Sequence, residues 1–291
     1  MINLLLQIFG LLLLLAGLGF GYWRWIKPHE SGLGWQEKGL LLLVVLTLMG
    51  GFIGSPFWWL DEVRSFSWDL PPLASRMLAS AGWAFFVVCW HVLQRPTDRR
   101  LRLVMILLAV YLVPLAVAAL LFHLDRFDFA APITYAFFSI VVLMCIGSMW
   151  YLWRQPEAFA DEPADLEPPA PAVRYWLMGV AAITGLWGLA LFVTDNGPSA
   201  FIWVWSGDLL TSRLIGVMLV AIAVGSVYSL PARGTVRPML AMIMTYGLGL
   251  AVASMWNGVA GLPIKWSYTI VFGIIFLVSS LFFFRRSMSS V

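Results

Sequence analysis

Apolar runs of about 20 residues recur along this chain, with "GLLLLLAGLGFGYW" (10–23) inside one and "GIIFLVSSLFFF" (273–284) inside another. That is the length of helix needed to cross the hydrocarbon core of a bilayer. In lipid every backbone N–H and C=O must be bonded within the protein, which leaves helices or a closed barrel. Barrel strands alternate apolar and polar residues, whereas these runs are apolar on all sides. The expected fold is therefore all-α, a polytopic membrane helical bundle. Composition agrees: 61% of the 291 residues are hydrophobic and 11% are charged, against about 25% charged in an average soluble domain.

Nine spans are expected, over 3–25, 38–59, 72–94, 101–123, 133–153, 174–194, 209–230, 237–257 and 266–284. The first has no basic residue before its apolar run and several after it, so it reads as a retained transmembrane helix rather than a signal peptide. Tryptophans gather at span ends, at Trp23 and Trp25, Trp58 and Trp59, Trp150 and Trp153, and Trp203 and Trp205. This is the aromatic belt of a lipid–water boundary.

Lysine and arginine set the orientation. Thirteen of the 18 basic residues fall at one set of ends: Arg24, Lys27, Lys38, Arg95, Arg99, Arg100, Arg102, Arg154, Arg174, Arg233, Arg237, Arg285 and Arg286. The other ends hold Arg64, Arg76, Arg126, Arg213 and Lys265. The expectation is a cell-membrane protein with its N-terminus outside and its C-terminus in the cytoplasm. The loop "RQPEAFADEPADLEPPAPAVR" (154–174) is too polar to bury a core of its own, and is expected to be a flexible cytoplasmic linker.

That linker lies midway along an internal duplication. "LASRML" (73–78) aligns with "LTSRLI" (210–215) at an offset of 137, and Trp68 aligns with Trp205. "YLVPLAVA" (111–118) aligns with "YGLGLAVA" (246–253) at 135, and "APITY" (131–135) with "LPIKW" (262–266) at 131. Thr47 and Gly51 fall opposite Thr184 and Gly188. The expected organisation is an N-terminal helix (1–30), a first four-helix repeat (38–154), the linker (155–173) and a second repeat (174–286). Four spans is an even number, so both copies point the same way, about a pseudo-two-fold axis along the membrane normal. Gly17 with Gly21, and Gly50 with Gly54, have the four-residue spacing that lets helices approach closely.

Little in the sequence points to catalysis. Its three histidines are His29, His91 and His123. His91 and His123 lie at opposite membrane faces, and Tyr228 stands opposite His91 in the second copy. Tandem four-helix units are similar in architecture to membrane haem-modifying enzymes, but those depend on paired helical histidines. This chain has no such pair, so the similarity implies no haem site and no function. No cluster of zinc ligands is visible, and Cys89 and Cys145 stand alone. No cofactor is expected. Every Asp and Glu lies in a loop or at a span end, which disfavours a proton-relay pump. No nucleic-acid-binding stretch and no phosphate-binding GxxxxGK[ST] occur, and an enzyme is not expected.

The sharpest feature is a pair of arginines, Arg76 and Arg213, each preceded by serine (Ser75, Ser212) and each about one turn into a span. A helix N-terminus carries partial positive charge, so a cation there points to an anionic partner. Asp69 and Asp208 are the candidates within the chain; a lipid phosphate or an anionic substrate are the candidates outside it. Together with Trp68 and Trp205 these residues form the candidate substrate- or lipid-binding set. Two readings follow. In one, a transporter- or permease-like protein binds an apolar or amphipathic anionic molecule near the outer face, between the repeats. In the other, the chain is a structural or accessory subunit that contacts lipids and other membrane subunits.

Overall fold

A computed structural model describes residues 2–62, 68, 70–155, 159–204 and 208–285. Arg64 and Arg286 lie outside them. Among the described residues all regular structure is helical. The long helices are α1 (Ile2–Gly21), α2 (Trp35–Trp59), α3 (Pro72–Gln94), α4 (Asp98–Phe122), α5 (Pro132–Arg154), α6 (Pro171–Val193), α7 (Leu209–Tyr228), α8 (Arg233–Val259) and α9 (Trp266–Phe284). Eight of them, α2 to α9, are long and apolar enough to cross a membrane.

Local chemistry explains their limits. Pro72, Pro132 and Pro171 each occupy the first helical position, where the missing N–H has no partner to lose and φ is already helical. Asp208 caps α7 by accepting from the Thr211 backbone N–H at 3.2 Å. The expected first span is interrupted: at Tyr22 the α-helix widens into a π-helical turn (Tyr22–Ile26), then a tight turn (Lys27–Gly32). The wider turn changes which residues face inward. Trp25 and Ile26 are buried there, and the Trp25 ring meets Trp90 edge-on at 5.7 Å.

The helices pack as hairpin pairs: α2 with α3, α4 with α5, α6 with α7, and α8 with α9. The first and second halves meet mainly through α3 against α8 and α4 against α7. The centre of the bundle is therefore α3, α4, α7 and α8. Burial follows this order: α7 buries 78% of its most apolar stretch inside the protein, whereas α5 and α9 bury 22%. Helix α1 packs on α2 alone among the long helices it meets closely, with Gly17 against Met49 and Gly21 against Val45.

Two glycine crossings draw hairpins together. A Cβ on Gly51 would strike the Gly82 carbonyl oxygen of α3, and one on Gly188 would lie 2.6 Å from the Gly216 carbonyl oxygen of α7. Four residues before each glycine, a threonine hydroxyl turns back to its own helix: Thr47 donates to the Leu43 carbonyl and Thr184 to the Val180 carbonyl, both at 2.8 Å.

The loop after α5 is not the free linker its composition suggests. Phe159 bonds Asp98 through both its N–H and its carbonyl. Asp161 pairs with Arg99, Glu162 with Arg95, and Asp165 with Arg100. The Arg233 N–H donates to the Glu167 carbonyl at 2.7 Å. The segment lacks a core of its own, but Arg95, Arg99 and Arg100, from the end of α3 to the start of α4, supply the counter-charges that hold it down. Arg100 ties the halves together, donating from Nε to the Gly234 carbonyl of α8 at 2.8 Å and from Nη2 to Asp165 at 3.3 Å.

Candidate functional site: two unlike arginines and an apolar cleft

Arg76 and Arg213 sit one turn into α3 and α7. Their serines are buried. The Ser75 hydroxyl donates to the Trp58 carbonyl at 2.6 Å, stapling α3 to the end of α2. Ser212 is wholly enclosed in α7.

The arginines differ in what surrounds them. Arg213 is half-buried and well occupied. Its Nη1 donates to His123 Nε2 at 2.8 Å, and its Nε to the Phe192 carbonyl at 3.3 Å. Its guanidinium lies 5.0 Å from the Phe122 ring centroid and 5.7 Å from that of Phe192, within cation–π range. Arginine can only donate, so His123 Nε2 is the acceptor and the imidazole is neutral, with its proton on Nδ1. His123 caps α4, and burial, followed by the Arg213 charge, lowers its pKa from the ordinary 6.5.

Arg76 is 9% exposed and much less satisfied. Its Nη1 reaches only the Pro72 carbonyl of its own helix, at 3.4 Å, and its buried Nε has no partner. The Trp256 ring of α8 lies 6.0 Å away. The next residue, Asn257, is 4% exposed and its Oδ1 is also without a partner. The offset of 135 that aligns α4 with α8 puts Gly258 opposite His123. The second arginine thus has an imidazole where the first has a glycine.

Of the two expected aspartate partners the structure describes Asp208, which does not pair with Arg213. Asp208 spends its carboxylate on the N–H and hydroxyl of Thr211, as a helix cap. Asp69 and Trp205 lie outside the described residues. Among the described residues neither arginine has a carboxylate within 4.0 Å. Trp68 packs its ring against Phe127 at 5.0 Å and Phe137 at 5.6 Å. Arg76 and Arg213 meet different neighbours: Arg76 lies against Trp256 of α8, and Arg213 against His123 at the end of α4 and Phe192 of α6.

A cavity lies in the first half, between the α2–α3 and α4–α5 pairs, with α1 on its outer flank and Leu214 of α7 also on its wall. Its volume is about 470 Å³, and its walls, among them Leu46, Gly50, Phe85, Tyr111 and Ile140, are almost wholly hydrocarbon. Trp58 and Trp68 line one end. Sequence reasoning missed this cleft, although the run of small residues Gly50, Gly51 and Gly54 was its only local sign.

The histidines have separate neighbours. His29 bonds the Trp25 carbonyl and meets Phe159, and His91 meets Phe283. Among the described residues no three His, Cys, Asp or Glu side chains converge.

These features define an all-α, multi-pass integral membrane protein. No protein-family model, curated protein or solved structure matches the chain.

Proposed function

We propose that this protein binds an amphipathic anionic molecule at the outer face of the cell membrane, with Arg76 as the anion-holding residue, and that it handles this molecule as a permease-like carrier rather than as an enzyme. The observation that carries the reading is the unmet demand at Arg76. A guanidinium nine-tenths buried, with an unpartnered Nε and no carboxylate within 4.0 Å among the described residues, is costly. A planar fork of donors suits a phosphate or carboxylate. Arg213, whose Nη1 and Nε are bonded to His123 and Phe192, is a structural latch in this reading. The bias of lysine and arginine supports an outside N-terminus and a cytoplasmic C-terminus. The repeat supports a body of one helix plus two four-helix units, since α3 on α8 and α7 on α4 are equivalent contacts under it.

Native mass spectrometry of the delipidated protein with phosphatidylglycerol and with phosphatidylcholine tests this. Wild type should retain the anionic lipid preferentially, Arg76→Lys should keep part of that preference, and Arg76→Gln should lose it. Equal retention of both lipids by wild type, with a co-purifying membrane protein instead, would favour the accessory-subunit reading.

A further inference from the structure

We infer that the cleft of the first half is a binding site for one hydrocarbon chain of a membrane lipid. The two halves differ along this gap. At the offset of 137 that aligns Gly51 with Gly188, Gly50 aligns with Trp187. At the offset of 131 that aligns α5 with α9, Phe137 aligns with Tyr268 and Val141 with Phe272. In the second half these residues form a plug. Trp187 Nε1 donates to the Tyr268 hydroxyl at 3.1 Å, and that hydroxyl donates to the Ile202 carbonyl at 2.9 Å. The Trp187 ring meets Phe272 at 5.5 Å and Phe201 at 5.2 Å. Tyr268 and Phe272 are sealed from solvent. The gap between hairpin pairs is thus closed by three aromatic side chains.

In the first half, glycine and valine stand where that plug has its tryptophan and one phenylalanine, and the gap is open. A Cβ added to Gly50 would meet nothing within 4 Å. The space runs from Leu46 and Thr47, midway along α2, to Phe57 and Trp58 at its end. The one hydroxyl hydrogen of Thr47 is already donated to the Leu43 carbonyl, so it offers a ligand no donor. Helix α1 completes the wall with Gly10 and Leu14. The extra helix therefore covers the half of the protein that has the cleft.

The occupant follows from size and medium. Water does not fill a cavity with hydrocarbon walls. A helix about 10 Å across does not fit a volume of 470 Å³ extended over that length of α2. Lipid tails are the slender apolar molecules that surround the protein, and the volume lies in the range of small-molecule sites, about 300–1,000 Å³. The indoles of Trp58 and Trp68 at one end suit the boundary where a tail joins its headgroup. The site gives a place to the tail of an amphipathic ligand. It stands apart from Arg76, which faces α8.

The test uses the full chain in nanodiscs and a phosphatidylglycerol carrying a diazirine at the end of one acyl chain, with the matching phosphatidylcholine alongside. After illumination, mass spectrometry locates the attached lipid. Wild type should be labelled at cleft residues such as Leu46, Ile140 and Met144 with both lipids. Gly50→Trp should cut that labelling by about tenfold, as a bulky side chain built against a ligand does. Gly50→Leu, a smaller change into open space, should cut it in the same sense and serves if the tryptophan variant is poorly folded. Labelling spread over the outward faces of α5 and α9, and unchanged by both substitutions, would overturn the site. Arg76→Gln should leave cleft labelling intact. If it also leaves the preference for phosphatidylglycerol intact, the anion-binding proposal fails and the chain site stands.

Discussion

Arg213 Nη1 donates to His123 Nε2 across 2.8 Å, joining α7 of the second half to the end of α4 in the first. The bond exists only while the imidazole is neutral. Burial and the Arg213 charge both lower the His123 pKa, Arg126 adds to this, and Asp125 and Asp208 oppose it. The folded protein therefore binds fewer protons here than the unfolded chain. The stabilisation is complete above the unfolded value of 6.5 and is lost as pH falls from there through the folded pKa. Thermal unfolding in detergent, followed from about pH 8 to about pH 5, should show a falling midpoint in wild type and a flatter profile in His123→Gln. Equal slopes would remove the latch.

Arg100 and Asp165 form an ion pair whose side chains are each 11% exposed, and it bridges the linker, α4 and α8. Asp165→Asn leaves a buried arginine without its counter-charge, and should cost about 3 kcal/mol. Arg95→Gln breaks an exposed pair with Glu162 and should cost less than about 1 kcal/mol. Denaturation midpoints of the two variants compare these directly. Similar losses would mean that the clasp does not join the halves.

Gly50 and Gly51 are neighbours with opposite demands. Gly51→Ala pushes a methyl into the Gly82 carbonyl and should destabilise by roughly 2 kcal/mol. Gly50→Ala meets open space, and removing a helical glycine should stabilise by up to about 1 kcal/mol. Chemical denaturation would check the sign of each.

Trp187 fills the second half and is 5% exposed. Trp187→Ala should cost about 3–5 kcal/mol, the loss expected when a large aromatic leaves a cavity. It should also admit to α6 and α9 the diazirine lipid that wild type takes up only in its first half. A full loss of stability with no new labelling would show the plug to be structural only.

Orientation has a direct check. With Cys89→Ala and Cys145→Ala, a cysteine at Ala200 should react with an impermeant maleimide in intact cells. One at Ala170 should react only after lysis. Both positions are exposed in loops at opposite ends of α6. The reverse pattern would invert the assigned topology.

Much of the helical layout was legible in the sequence because burial in lipid imposes one simple rule on each segment. A run such as 266–284 is apolar on every side, and its expected bounds match α9. The break at Tyr22 was not legible, since widening the helix there depends on Trp25 finding Trp90 on α3. The linker misled for a related reason. Its acids and prolines cannot build a core, but Asp161 and Asp165 fold onto arginines that lie far off in the chain.

The sequence by itself determined the class of protein, the position of the main spans and the recurrence of Ser–Arg one turn into two of them. Hydropathy and spacing are properties of single segments, and need no partner to be read. Only the tertiary structure decided what each arginine meets. The two motifs are nearly alike locally, yet α4 brings His123 to Arg213 while α8 brings Trp256 to Arg76. The cleft, too, is decided only there, because a void is defined by side chains from several helices and by those, at Gly50 and Val141, that are too small to close it.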